Sequence, residues 1–319
     1  MTDLPIPVYD PAFTVRSETY IIEAPAALVW KILTDLPNYG AWNPFCIAAT
    51  STLEMGAPVD MTLSNYTMPG ETYPNCEHVC AKIPGRLISW ELRAEDSVYP
   101  ARRDQVIEPL GPERCAYYST DAFFGPNAPH VMYFCGAWVK RAFDDTGRAL
   151  KARAETLHNE DRLRRLEDLE AIKQLKYNYA RALDTCNTAQ LETLFTEDAE
   201  IDYRGGTYRL ALQGRAAIVA ALGQAFHAGL VAAHTMHMPV IEVSGDTATG
   251  SWTLRDYALN LNEGNSVTEG AAHYRDRYVK RDGRWLIAFS EYDRLYERVY
   301  QDPTPGLTAH LLGTIHAGR

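Results

Sequence analysis

Between Arg148 and Arg204 the chain contains neither glycine nor proline, although its 319 residues include 21 glycines and 18 prolines. Such a stretch holds no residue that must interrupt a helix. From about Asp161 to Asp184, apolar residues recur at Leu166, Leu169, Ile172, Leu175, Tyr179 and Leu183. That spacing of three and four sets one stripe toward a core. Just before it, Lys151 to Glu170 mixes both signs of charge, Asp168 among them, and reads as a solvated helical connector with i,i+4 pairs. The length allows two domains, placed at residues 1–155 and 156–319 and joined by this helix. Near its end the core-facing helix carries Tyr177, Tyr179 and Asp184. Burying a carboxylate and phenols is costly unless something pairs with them, so they are either satisfied structural groups or pocket walls.

In the first domain, Pro5, Pro7 and Pro11 mark an extended arm, Ser17 to Glu23 a strand, and Pro25 the start of a helix through Leu33. Ile88, Trp90 and Leu92 alternate with polar neighbours after a Pro84-Gly85 turn. A second pair of strands flanks Gly111-Pro112, and a helical pattern begins near Pro129. Strand, helix, many antiparallel strands and one long helix make an α+β pattern. The run Glu23-Ala24-Pro25-Ala26-Ala27-Leu28-Val29-Trp30, then Thr34-Asp35, Tyr39 and Trp42-Asn43-Pro44, resembles the START-like or SRPBCC family, which includes polyketide cyclase/dehydrase-type proteins. The resemblance covers residues 15–155 and implies a helix-grip fold around an apolar cavity that binds hydrophobic molecules. His78 and His130 stand alone in this half and are read as structural.

In the second domain a short helix is expected around Leu191 to Phe195, a strand from Ala199 to Tyr203, and a helix from Ala216 to His227. Long strands follow, turning at Gly245-Asp246 and at Asp282-Gly283. Asp-Gly between alternating runs is a strong hairpin signal. Leu194-Phe195-Thr196-Glu197-Asp198-Ala199, Gly214-Arg215, His234 before Gly245-Asp246-Thr247-Ala248, Tyr274 to Tyr278 and Asp282-Gly283-Arg284-Trp285 together resemble the SnoaL-like, nuclear-transport-factor-like family. Within it the pattern is most similar to the branch containing scytalone dehydratase and bile-acid 7α-dehydratase. The resemblance implies an α+β cone with one open mouth and a pocket that works through tyrosine, aspartate and histidine, with no metal or cofactor.

Carried over by position, the resemblance implies Tyr179, Asp184 and His234 as catalytic residues, with Asp256 and Arg294 as further pocket residues. Tyr177, His237 and Trp252 are expected to line the same pocket, with Trp252, Tyr257 and Tyr274 as wall. The chemistry is consistent. Dehydration beside a carbonyl needs a base for a C–H proton, and histidine is the side chain suited to that near neutral pH. A carboxylate on its other ring nitrogen fixes the tautomer, and a phenol can hold the oxygen on which charge develops. At about 100° per residue, Tyr179 and Asp184 stand about 140° apart on the helix, while Tyr177 and Asp184 differ by only about 20°. Tyr177 therefore competes for the tyrosine role, and Asp184 can alternatively cap the helix that follows. The function expected is a cofactor-independent lyase, a dehydratase acting on a hydrophobic polycyclic or polyketide-like molecule such as a steroid. The alternatives are a cyclase or isomerase using the same base, or a non-catalytic carrier of apolar ligands.

A net charge of −10 disfavours nucleic acid, whose phosphates need a basic face. No apolar run is long enough to span a bilayer and the start lacks a secretory pattern, so the expected location is cytoplasmic, with no membrane partner. The six cysteines are then expected to be free thiols. Cys76, His78 and Cys80 share one face of a strand but lack a fourth ligand, so no metal is assigned. By analogy with the cone family, a homo-oligomer, dimer or trimer, is expected.

Overall fold

Alternating strands separated by tight turns build both halves of the chain, and a computed structural model describes residues 4–310. Two compact units are present, Met1–Arg162 and Leu163–Arg319. The first unit begins with strands β1 (Thr14–Arg16) and β2 (Tyr20–Ile22) and helix α1 (Ala26–Thr34). Six strands follow: β3 (Cys46–Thr50), β4 (Pro58–Ser64), β5 (Thr72–Ile83), β6 (Leu87–Leu92), β7 (Ala101–Gly111) and β8 (Arg114–Phe123). They form one antiparallel sheet in the order β1-β8-β7-β6-β5-β4-β3, with β2 also on β8. Helix α2 (Ala128–Asp184) starts here, and its Val139, Ala142 and Phe143 join the core of Trp90, Phe45 and Phe123. A large antiparallel sheet packed on a long helix is consistent with a helix-grip-like domain.

The helical signal extends much further than the stripe from Asp161: α2 is one helix of 57 residues. With no glycine or proline between Arg148 and Arg204, nothing in that part of the chain ends it earlier. The outward limit of the stripe needs correction. Leu166 is 63% exposed, and Asp168 takes the inward position instead. It is held by Lys280 Nζ at 2.7 Å and Trp285 Nε1 at 2.8 Å, so it is a structural group of the second unit and not part of a solvated face.

The second unit continues from the last turns of α2 into α3 (Thr188–Glu192), β9 (Phe195–Arg204), β10 (Arg209–Gln213) and α4 (Arg215–Ala225). Four long strands follow: β11 (Leu230–Ser244), β12 (Thr247–Asn260), β13 (Ser266–Arg281) and β14 (Arg284–Gln301). The sheet order is β10-β9-β14-β13-β12-β11, antiparallel except for the parallel pair β9/β14. Asp282 and Gly283 sit at φ 52° and 75°, the left-handed geometry that a two-residue hairpin turn demands. Register shifts in β11 after His237 and in β14 at Leu295, opposite Ala271 and Ala272, are bulges, which bend a sheet and increase its twist. Ile172, Leu175, Tyr179 and Leu183 of α2 pack onto Phe195, Ile201, Leu254 and Ile287 inside the curve. The fold class is mixed α+β. Among the described residues, no helix is long and apolar enough to cross a membrane.

Candidate active site

Asp184 is the last residue of α2, so its side chain leaves the helix where no further turn confines it. Asn187, not Asp184, caps the next helix, accepting from the Gln190 amide at 3.0 Å. Freed from capping, the Asp184 carboxylate turns to β11 and grips His234 twice. Oδ2 accepts from the His234 amide at 2.9 Å, and Oδ1 lies 2.5 Å from the ring Nδ1. The two bonds fix both the backbone position and the ring of His234. The imidazole is nearly enclosed, with 8% of its side chain exposed, and tilts against Phe226. With Nδ1 held by the carboxylate, Nε2 is the ring nitrogen left for a ligand.

His234 lies opposite Asp256 in the β11/β12 register, and the two share a cavity of about 670 Å3. Across it, Arg294 of β14 clamps Asp256 through Nη1 at 2.6 Å and Nη2 at 2.8 Å. This bidentate fork is the strong geometry for a buried pair, and both side chains are under 9% exposed. It passes over Gly270 of the intervening strand. A Cβ there would fall 2.4 Å from the Tyr296 carbonyl oxygen and 3.2 Å from Arg294 Nη1, so no side chain fits.

Phenols line the rest of the polar wall. The Tyr179 and Tyr203 hydroxyls are 2.8 Å apart, and Tyr203 donates to Ser290 Oγ at 3.3 Å. Tyr203 stacks on Tyr292 with ring centroids 4.6 Å apart, and the Tyr208 and Tyr292 hydroxyls are in contact. Burial drives the phenols of Tyr179, Tyr203 and Tyr274 well above their usual range, so they remain neutral. Beneath them Lys176, fully buried, sits 2.8 Å from Asp276 and 3.5 Å from the Tyr274 ring centre. Desolvation pulls the Lys176 ammonium down, and the Asp276 charge opposes that pull.

Four of the expected residues therefore share one cavity: Tyr179, His234, Asp256 and Arg294. Asp184 stands behind His234 and borders a separate recess with Tyr177. Four expected lining or wall residues lie elsewhere, among them Tyr257, which borders a separate recess with Arg255 and Glu269. Tyr177 packs edge-on against Trp252, and the Trp252 indole donates to the Tyr278 hydroxyl at 2.9 Å inside the core. His237 is half-buried beside the β11 bulge, outside that cavity. The Arg275-Asp276-Arg277 run of β13 alternates between the two faces of the sheet. Strand alternation turns Asp276 inward, to 2% exposure, where Tyr278 donates to it at 2.6 Å. Tyr203, Tyr208 and Tyr292 were not expected at the site. The available signal was period two, which places Ser290, Tyr292 and Arg294 on one face of β14.

The cysteine corner of the first unit is dispersed. Cys76 is exposed, Cys80 is half-buried, and His78 Nδ1 lies 3.8 Å from Asp96. Among the described residues, no group of three or more histidines, cysteines or carboxylates is placed to hold a metal ion.

Residues 164–291 match the family of SnoaL-like domains. Solved structures similar to this chain include a protein provisionally assigned as a scytalone dehydratase from Novosphingobium aromaticivorans. It is 23% identical over 43% of this chain and 91% of that one, with a TM-score of 0.38. The hexachlorocyclohexane dehydrochlorinase LinA, type 2, is 23% identical over 46% of this chain and 99% of its own, with a TM-score of 0.40. An NTF2-like protein with a cystatin-like fold, also from N. aromaticivorans, is 26% identical over 44% of this chain and 89% of its own, with a TM-score of 0.38.

Proposed function

We propose that the second unit is a cofactor-independent lyase that dehydrates a hydrophobic polycyclic or polyketide-like molecule carrying a hydroxyl group β to a carbonyl. The observation that carries this reading is the double grip of Asp184 on His234 at a cavity wall. A carboxylate that fixes the tautomer and stabilises the imidazolium makes the far ring nitrogen a positioned base. His234 Nε2 takes the C–H proton next to the carbonyl. The electrons of that bond form the C=C bond, and the C–O bond to the leaving hydroxyl breaks. The imidazolium returns the proton to that oxygen, which departs as water.

Tyr179 serves as the oxygen anchor. Burial makes its phenol a poor proton source but a persistent hydrogen-bond donor, and the Tyr203–Ser290 chain holds it in place. The Arg294–Asp256 fork shapes the opposite side. The first unit we read as a START-like container for apolar molecules of the same kind, supported by a cavity of about 500 Å3 in its interior.

Asp184→Asn tests the mechanism. With a β-hydroxy ketone of a fused-ring system as substrate, turnover is expected to fall by about 10²–10⁴, the worth of a positioned base, while binding of the substrate is retained. Unchanged turnover in Asp184→Asn would sink the His–Asp mechanism. A wild-type protein that binds such ketones without dehydrating any of them would instead be a carrier.

A further inference from the structure

The phenol wall of the second unit holds one hydroxyl that its chain of hydrogen bonds does not use. A phenol carries a single hydrogen. Tyr203 gives its own to Ser290 Oγ at 3.3 Å, so in the 2.8 Å contact between Tyr179 and Tyr203 it is Tyr179 that donates. A ligand oxygen can take the Tyr179 hydrogen only if this chain reverses, with Ser290 donating to Tyr203 and Tyr203 to Tyr179. Tyr274 needs no such reversal. It borders the same cavity and acts through space on the Tyr179 phenol, yet its hydroxyl makes no hydrogen bond among the described residues. Packing leaves Tyr274 2% exposed overall, but its hydroxyl oxygen is not one of the sealed, unpartnered atoms of the core. It opens on the cavity.

The ring that carries this hydroxyl is fixed on three sides. Tyr203 meets it edge-on with centroids 5.8 Å apart, and Tyr292 leans on it at 4.9 Å. Beneath, the Lys176 ammonium sits 3.5 Å from the ring centre. A cation on the face of an aromatic ring is held by the ring's electron density and draws on it, which makes the phenol O–H a stronger donor. Lys176 is paired with Asp276, and both side chains are 0% exposed. Replacing a buried pair by apolar residues is often neutral or stabilising, so stability alone does not account for it. Its orientation does. Tyr274, Asp276 and Tyr278 follow one another along the inward face of β13. The Asp276 carboxylate accepts from the Tyr278 hydroxyl at 2.6 Å, and that hydroxyl accepts from the Trp252 indole. Neither Tyr278 nor Trp252 borders the cavity. The pair thus turns its ammonium to the Tyr274 ring, while its carboxylate is bonded on the core side.

We propose that Tyr274 is a further catalytic residue: its free hydroxyl donates to the carbonyl oxygen of the substrate as charge develops there, and Lys176 positions and polarises the phenol from beneath. Tyr179 and Tyr274 then aim two donors at one oxygen, the arrangement that stabilises a developing oxyanion. His234 Nε2 still takes the C–H proton and returns it to the departing hydroxyl, and both phenols keep their hydrogens throughout. The inference rests on the reading of this cavity as an elimination site, and names a second donor for its oxygen anchor.

Two readouts on the full-length protein test it. The first is turnover of 3-hydroxy-1-tetralone, whose loss of water gives 1-naphthol. Tyr274→Phe removes only a hydroxyl that has no partner in the protein, so thermal unfolding should be unchanged. Its kcat should fall about 10²-fold, the effect of losing one such donor, with KM changed by less than about threefold. Lys176→Met combined with Asp276→Leu, which leaves Tyr274 in place, should lower kcat about tenfold through the lost cation. The second readout is the carbonyl stretching band of 1-tetralone, which has no hydroxyl to lose, followed by infrared difference spectroscopy. Binding to the wild type should move the band to lower wavenumber. Tyr274→Phe should return part of that shift, and the double variant a smaller part. A ring with only a packing role would move neither kcat nor the band. Loss of turnover in His234→Ala beside full turnover in Tyr274→Phe would overturn the role of Tyr274 and leave the elimination standing. Failure of the wild type to dehydrate such ketones would overturn the elimination and the catalytic role with it. A band insensitive to Tyr274→Phe overturns the donor whether or not turnover is seen.

Discussion

The two cavities treat their buried charges in opposite ways. In the second unit each charge at or under the cavity has a close partner: His234 with Asp184, Arg294 with Asp256, and Lys176 with Asp276. In the first unit the charged groups Glu77, Arg103 and Asp121 border an aromatic chamber, Arg103 is held by Ser119 Oγ and the Phe143 ring, and no ion pair within 4 Å joins the three among the described residues. A paired group is fixed in geometry before any ligand arrives, which suits proton transfer that must hit a given atom. An aromatic wall holds an apolar molecule by burial, which places few demands on its orientation. The contrast separates a cavity whose charges are fixed in pairs from one whose walls are mostly aromatic.

Several substitutions break or sharpen that contrast. The largest effect is expected from His234→Ala, which should lower turnover by about 10²–10⁴ while hydrogen exchange of the first unit is unaltered. Next is Lys176→Met, which strands Asp276 at 0% side-chain exposure. Urea unfolding should show the second unit losing about 3–5 kcal/mol, and Lys176→Met combined with Asp276→Leu should recover most of it.

A third contrast concerns pH. Burial raises the Asp121 carboxyl on folding from its ordinary value of 3.8, so the folded state binds its proton more tightly. Its contribution to stability is complete below that value and is lost as pH rises through the higher folded value. Asp168 behaves in reverse. Burial alone would raise it, but bonds from Lys280 and Trp285 win and lower it. Its contribution is present above 3.8 and is lost as pH falls through the lower folded value. Hydrogen exchange of β8 peptides should therefore slow in Asp121→Asn relative to wild type at neutral pH. Exchange around Trp285 should quicken in wild type on acidification below about pH 4, and this acid step should vanish in Asp168→Asn. The smallest effect is expected from Trp252→Phe, which removes one hydrogen bond to Tyr278 and should cost about 1 kcal/mol in thermal unfolding, with turnover preserved because the indole lies outside the cavity.

Much of this architecture was legible in local pattern. The unbroken run from Arg148 to Arg204 signalled helix, and Asp282-Gly283 signalled the hairpin that the φ values show. Tyr179, His234, Asp256 and Arg294 were all named from the chain and all border one cavity. The wall residues fared differently. Trp252 and Tyr177 carry the right chemistry, yet Trp252 packs into the core and Tyr177 lies on the far side of His234 and Asp184. Tyr203 and Tyr292, which stack beside Tyr179, carried no mark beyond strand alternation.

By itself, then, the amino-acid order determined which segments are helix and strand, because periodicity and turn residues act over a few positions. It also supplied an imidazole and a carboxylate, 50 residues apart, capable of acting together. Only tertiary structure decided that they meet. The helix had to end at Asp184 for its carboxylate to escape the helical phase that sets it about 140° from Tyr179, and β11 had to bring His234 to that end. Likewise, nothing local distinguishes Asp168, Lys176 and Asp276 from the exposed charges beside them. Their burial follows from which face of helix and sheet the long-range packing closes.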